Sequence, residues 1–157
     1  MENIIKEIEF LNNHYLKVGF LAVDSKRKGS NETTILEYAV YNEFGTKNIP
    51  ARPFLRNTLE LNKEKIENKI ENLFNKVISG QINGITAYKE LGEYVRDLII
   101  ETINKANSWA VPLADSTVKK KGNNKILIDE GYLISSIRYQ ISTKNGTNIF
   151  ISNFKAI

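Results

Sequence analysis

The chain has no cysteine, one histidine, one methionine, one tryptophan and three prolines among 157 residues. Without cysteine there is no disulfide, no thiolate nucleophile and no cysteine-ligated zinc. The single histidine, His14, has no second imidazole with which to build a metal set, and no helical His-Glu-x-x-His pattern occurs. Glycines are dispersed, so neither a phosphate-binding loop nor a dinucleotide fingerprint forms, and no serine sits in a Gly-x-Ser-x-Gly elbow. Long apolar runs are also missing. The first segment, MENIIKEIEFLNNHYLK, is acidic from the start, which predicts neither a secretory signal nor a membrane span, and hence a soluble cytoplasmic protein. These absences predict no enzyme, no cofactor and no metal.

What is present is ordinary globular composition: 41% hydrophobic, 25% charged, net charge +4. A single domain spanning residues 1–157 is expected, long enough to bury roughly two thirds of its unfolded surface. The charge excess permits a nucleic-acid partner without requiring one.

Ile4, Ile8, Leu11 and Tyr15 recur at helical spacing and predict an amphipathic N-terminal helix that gives way at Lys17. The run VGFLAV, residues 18–23, then suits a strand, followed by the loop DSKRKGSNET. Leu36, Ala39, Val40 and Phe44 stripe a short helix that Gly45 ends in the left-handed conformation. Leu55, Leu59, Ile66, Ile70, Leu73 and Val77 predict a helix of roughly 25 residues stopping near Ser79-Gly80. Tyr88, Leu91, Val95, Leu98, Ile99 and Ile103 predict a second over 85–105, the pair forming an αα-hairpin. NSWAVPLADSTVKKKGNNK reads as irregular. Ile137, Tyr139 and Ile141 alternate with Arg138, Gln140 and Ser142 as on a strand with one wet face, and Asn145-Gly146 predicts a type I′ hairpin to a strand over 148–152. The expected class is α+β: a small antiparallel sheet packed against two long helices and an N-terminal helix.

Two of the three prolines fall within EFGTKNIPARPFLR, residues 43–56. Pro50 and Pro53 push Ile49 and Arg52 toward extended backbone, predicting a stiff strut. Pro53 then suits the first turn of the long helix. Arg52 and Arg56 oppose the positive end of that helix, so partners are expected. A carboxylate such as Glu43 or Asp129, a carbonyl cluster, a neighbouring subunit and a bound phosphate remain open. Carboxylates such as Glu64, Glu67 and Glu71, interleaved with Lys63, Lys65 and Lys69, read as a solvated helix face. Lys119, Lys120, Lys121 and Lys125 form the most basic stretch. They read either as a solvated loop or as contacts to nucleic-acid phosphates, although no aromatics interleave with them for base stacking.

The stretch EYAVYNEFGTKNIPARPFLR resembles a signature of tail-completion or neck proteins of Mu-like and lambda-like phages and prophages. A second stretch, WAVPLADSTVKKKGNNKILIDEGYLISSIRYQI, is similar to another block of that family, with Asp129-Glu130-Gly131 where members often have Asp-Thr-Gly. The turn there should persist, with Asp129 as a helix N-cap. Two blocks in the right order, preceded by the strand VGFLAV, cover most of the chain.

The resemblance implies a non-enzymatic virion-morphogenesis protein. It would act in head–tail joining or tail completion, with other neck and tail proteins as partners, as an oligomeric ring of several copies. It would be found in the host cytoplasm and then in the virion. Candidate partner-interface residues are Phe44, Ile49, Pro50, Arg52, Pro53, Phe54 and Arg56, with Trp109, Pro112 and Leu113. Core packing is the alternative role for Phe44, Phe54 and Trp109.

Overall fold

In a computed structural model of the chain, residues 2–28, 33–128 and 131–155 are described. Helix α1 (Glu2–Asn13) leads directly into strand β1 (His14–Gly19). Helices α2 (Ile35–Phe44), α3 (Phe54–Ile78) and α4 (Gly84–Asn104) follow, then the short α5 (Ala106–Trp109), α6 (Asp115–Lys121) and α7 (Tyr132–Ser135). Strands β2 (Arg138–Thr143) and β3 (Asn148–Ile151) close the chain. The fold is α+β, with a three-stranded antiparallel sheet in the order β1-β2-β3. No helix among the described residues is long and apolar enough to cross a membrane.

The two long helices form the expected antiparallel hairpin. Thr58 Oγ1 meets Thr102 Oγ1 at 2.8 Å near one end, and Lys69 Nζ meets Glu90 Oε2 at 3.4 Å farther along. Each N-terminus is capped by a carboxylate from an earlier element. Glu7 Oε2 of α1 accepts the Gly84 N–H at 2.6 Å, beside the local cap in which Asn83 Oδ1 accepts from Thr86 N–H. Helix α4 then lies close on β2: a Cβ on Gly92 would sit 2.4 Å from the Tyr139 ring. Glycine is what that approach requires.

Phe54, Ile99, Ile103, Leu127, Leu133 and Ile137 belong to the main core. Leu73, Val77 and Ala87 form a satellite core under α1, with Leu11, Ile82 and Leu91 packed on it.

Several local expectations are corrected. The first strand covers 14–19 rather than 18–23, because pairing with β2 runs from His14↔Thr143 to Gly19↔Arg138 and outweighs the helical stripe through Tyr15. Ala22–Asp24 instead forms a 3₁₀ turn. His14 therefore lies in the strand, its ring stacked 3.9 Å from Phe10 and its Nδ1 2.7 Å from the Phe10 carbonyl. In α2, Thr34 caps the helix through a reciprocal capping box with Glu37, but the buried face carries Asn42 and Glu43 while Val40 and Phe44 are exposed.

Helix α3 kinks at Asn62, whose side chain bonds the Thr58 carbonyl, and Leu59 and Ile70 of its predicted stripe are exposed. The segment 107–125 is not wholly irregular, since α5 and α6 lie in it. Gln140 and Ser142 are buried rather than wet, joined by hydrogen bonds to each other and to Asn148. The hairpin has three loop residues: Gly146 N–H donates to the Thr143 carbonyl, and only Gly146 has positive φ, the pattern of a type I turn followed by a glycine bulge.

Candidate functional site

The elbow between α2 and α3 begins with a helix end that its own sequence cannot cap. Pro53 occupies the N-cap position, just before the first helical turn where it is expected, with φ −75° and ψ 70°. Phe54 N–H donates to the Arg52 carbonyl across it at 2.8 Å, an inverse γ-turn. Proline has no side-chain acceptor, so the first N–H groups of α3 need one from elsewhere.

Glu43 supplies it. Its Oε2 accepts from Leu55 N–H at 2.9 Å and its Oε1 from Arg56 N–H at 3.1 Å. The carboxylate is only 4% exposed, and the positive helix end makes that burial tolerable. Arg56 Nε also donates to Oε1 at 3.1 Å, and its Nη2 to the Glu43 carbonyl at 2.7 Å. Arg56 thus has an intramolecular partner while staying largely in solvent, and it reaches over the ring of Phe44 at 5.4 Å.

Gly45 leaves α2 with φ 75° but ψ 170°, so it extends the chain rather than closing a left-handed cap. A Cβ there would meet Ala51 N at 2.9 Å. Thr46 N–H donates to the Ile49 carbonyl, and Thr46 Oγ1 accepts from Asn48 and Ile49 N–H, so Ile49 closes a turn before the strut begins.

Arg52 takes the carbonyl-cluster option. Its Nε donates to the Val111 carbonyl at 3.0 Å and its Nη2 to the Pro112 carbonyl at 3.3 Å, while its N–H bonds the Asn42 carbonyl. At 5% exposure, burial pushes the guanidinium below its ordinary pKa, an effect opposed by Tyr38. Among the described residues it has no carboxylate within ion-pairing distance. The pairing and capping roles expected of Asp129 lie outside those residues.

Arg52 thereby ties the first block to the second. Between them opens a groove of about 450 Å³, lined among others by Tyr38, Ile49, Pro50, Arg52, Pro112 and Leu113. Leu127 also lines it, in a left-handed backbone conformation (φ 62°) that costs a leucine about 1–2 kcal/mol.

The candidate interface residues divide by exposure. Phe44 is 67% exposed, and Pro50, Arg56 and Pro112 are also on the surface. Ile49, Pro53, Trp109 and Leu113 are half-buried, with Trp109 Nε1 donating to the Thr102 carbonyl at 2.9 Å. Phe54 is completely buried, edge-on to Phe20, and belongs to the core. Phe44, for which core packing was an alternative, is outside the core.

Lys119, Lys120 and Lys121 end α6 rather than populate a loop, with Gly122 left-handed behind them. Lys119, Lys120 and Lys125 are exposed, and Lys121 Nζ reaches the Lys125 carbonyl.

The sequence reading missed three organising contacts: Glu43 as a helix cap, Glu7 as the cap of α4, and the Arg138–Asp24 pair, in which Arg138 Nη1 meets both carboxylate oxygens at 2.9 and 3.0 Å. The second joins residues 77 apart in sequence and the third residues 114 apart, and no local pattern announces such pairs. Comparison of the chain with protein-family models, with curated proteins and with solved structures returns no match.

Proposed function

We propose that this is a non-enzymatic structural protein of phage or prophage virion assembly, completing the tail or joining it to the head at the neck. One observation carries the reading. The two stretches that resemble tail-completion and neck proteins are separate in sequence yet share one groove, with Arg52 of the first bonded to the Val111 and Pro112 carbonyls of the second. A signature distributed this way marks a folded unit with a common surface. That surface carries exposed Phe44, Pro50, Arg56 and Pro112, and aromatic and arginine side chains are enriched where proteins bind one another. In this reading the protein is made in the host cytoplasm, joins other neck and tail proteins, works as an oligomer and ends in the virion.

A second reading rests on the exposed lysines closing α6: a small basic module contacting nucleic-acid phosphates. A steep salt dependence of DNA affinity, lost when Lys119, Lys120 and Lys121 become glutamine, would support it.

Electron microscopy of lysates from the parent phage with this gene deleted decides the main proposal. Filled heads beside detached or overlong tails are expected. Normal infectious particles would overturn it and favour the DNA-binding reading.

A further inference from the structure

Helix α3 shows solvent an apolar strip beside the solvated charged face that its composition suggests. Beyond the kink at Asn62, Ile70, Phe74 and Ile78 are 46%, 45% and 38% exposed, spaced by four and four residues and therefore close to one stripe. Beside that stripe, Glu60, Glu64, Glu67 and Glu71 recur at intervals of four, three and four, all exposed. Lys63 interrupts them and pairs with Glu67 at 3.9 Å. This flank of α3, where Ile70 and Phe74 border an apolar hollow shared with Leu11 and Tyr88, is an apolar strip with an acidic border.

The groove at the elbow has the complementary character. Its walls are apolar at Ile49, Pro50, Pro112 and Leu113, and Arg52 brings to it a buried guanidinium bonded only to neutral carbonyls among the described residues. Helix α6, which gives Thr117 to the wall, carries Lys119 and Lys120 in its last turn, exposed and without an ion pair among the described residues.

We infer that the occupant of the groove is a second copy of this chain: the apolar and acidic flank of α3 on one copy docks on the groove and α6 lysines of the next. Apolar side chains of the strip enter the groove, and the glutamates face Arg52, Lys119 and Lys120. The two surfaces differ, so the contact is head-to-tail and propagates until it closes or is capped. Opposed charges steer the encounter and fix its register. This inference deepens the proposed assembly role and rests on it for its biological meaning, but it concerns the purified chain alone.

The test uses two charge-reversal variants of the full chain, Glu64→Lys with Glu71→Lys, and Lys119→Glu with Lys120→Glu. All four side chains are exposed, and thermal melts of each variant verify folding. Sedimentation at low ionic strength should show wild-type self-association that weakens as salt is raised. Each variant alone should associate at least about tenfold more weakly. An equimolar mixture should associate again, because each variant keeps one native face and offers a reversed partner to the other.

A wild-type chain that stays monomeric at low salt, variants that associate like wild type, or a mixture that fails to recover would each overturn the inference. Association through other faces leaves the assembly role standing while this pairing falls. Normal particles from the gene deletion remove the role while the pairing stands.

Discussion

Replacing Glu43 separates two explanations of why the elbow holds its angle, because one carboxylate both caps α3 and pairs with Arg56. In Glu43→Ala the Leu55 and Arg56 N–H groups lose their acceptor in a site where the native side chain is 4% exposed. Loss of a cap costs about 0.5–2 kcal/mol, and the buried donors left behind bring the total to about 2–3 kcal/mol. Arg56→Gln leaves the cap in place and removes the ion pair together with the Nη2 bond to the Glu43 carbonyl; the arginine side chain is 54% exposed, so screening and solvation hold its cost near or below about 1 kcal/mol.

For a chain of this length the alanine variant should lower Tm by about 5–10 °C and the arginine variant by no more than about 4 °C. Glu43→Gln, which keeps one acceptor oxygen but no charge, should fall between them. Urea titrations with matched slopes give the three values. If Arg56→Gln costs as much as Glu43→Ala, the ion pair and not the cap holds the elbow, and the reasoning fails.

Gly92→Ala should cost about 1–3 kcal/mol in urea unfolding, because its Cβ overlaps the buried Tyr139 ring; a neutral result would mean that α4 does not lie this close to β2. Phe44→Ala should change stability by less than about 0.5 kcal/mol while lowering the yield of joined particles, since the ring is mostly exposed. Arg52→Ala should reduce both stability and joining by freeing the Val111 and Pro112 carbonyls, whereas Pro53→Ala should affect assembly more than folding; small, equal effects of both on assembly would remove the elbow from the mechanism.

The Glu37 carboxyl is held below its ordinary range by the Thr34 hydroxyl first and the Thr34 N–H second. Because its folded value is depressed, its contribution to α2 is present above the ordinary carboxylate range and lost as pH falls through the folded value. Thr34→Ala should raise the Glu37 pKa read by NMR titration, and an unmoved value would mean that the capping box does not form.

The long helices were legible because their cause is local. The stripes through Leu73–Val77 and Leu98–Ile103 and the punctuation at Ser79-Gly80 needed no tertiary partner to be read. Boundaries shifted where a distant partner supplied the energy. The first strand begins at His14 because β2, more than 120 positions later, offers hydrogen bonds there, and Tyr15 cannot announce that. The turn at Asn145-Gly146 was correctly placed but wrongly typed, since the bulge between Ile141 and Ser142 changes the register that a two-residue turn would need.

The elbow illustrates the same division at the candidate site. Its prolines declared a stiff strut that aims α3 and its glycine the end of α2, and the need of two arginines for partners followed from the helix dipole alone. Which partners they take depends on burial. Glu43 lies on the inward side of α2 and reaches the end of α3, while Arg52 is walled in by residues 111 and 112, which no periodicity connects to it. Once Arg52 is buried without a carboxylate among the described residues, the groove has a definite electrostatic demand. Among the described residues, the exposed glutamates of α3 carry the charge that would answer it, which is why we infer that the two surfaces meet between copies.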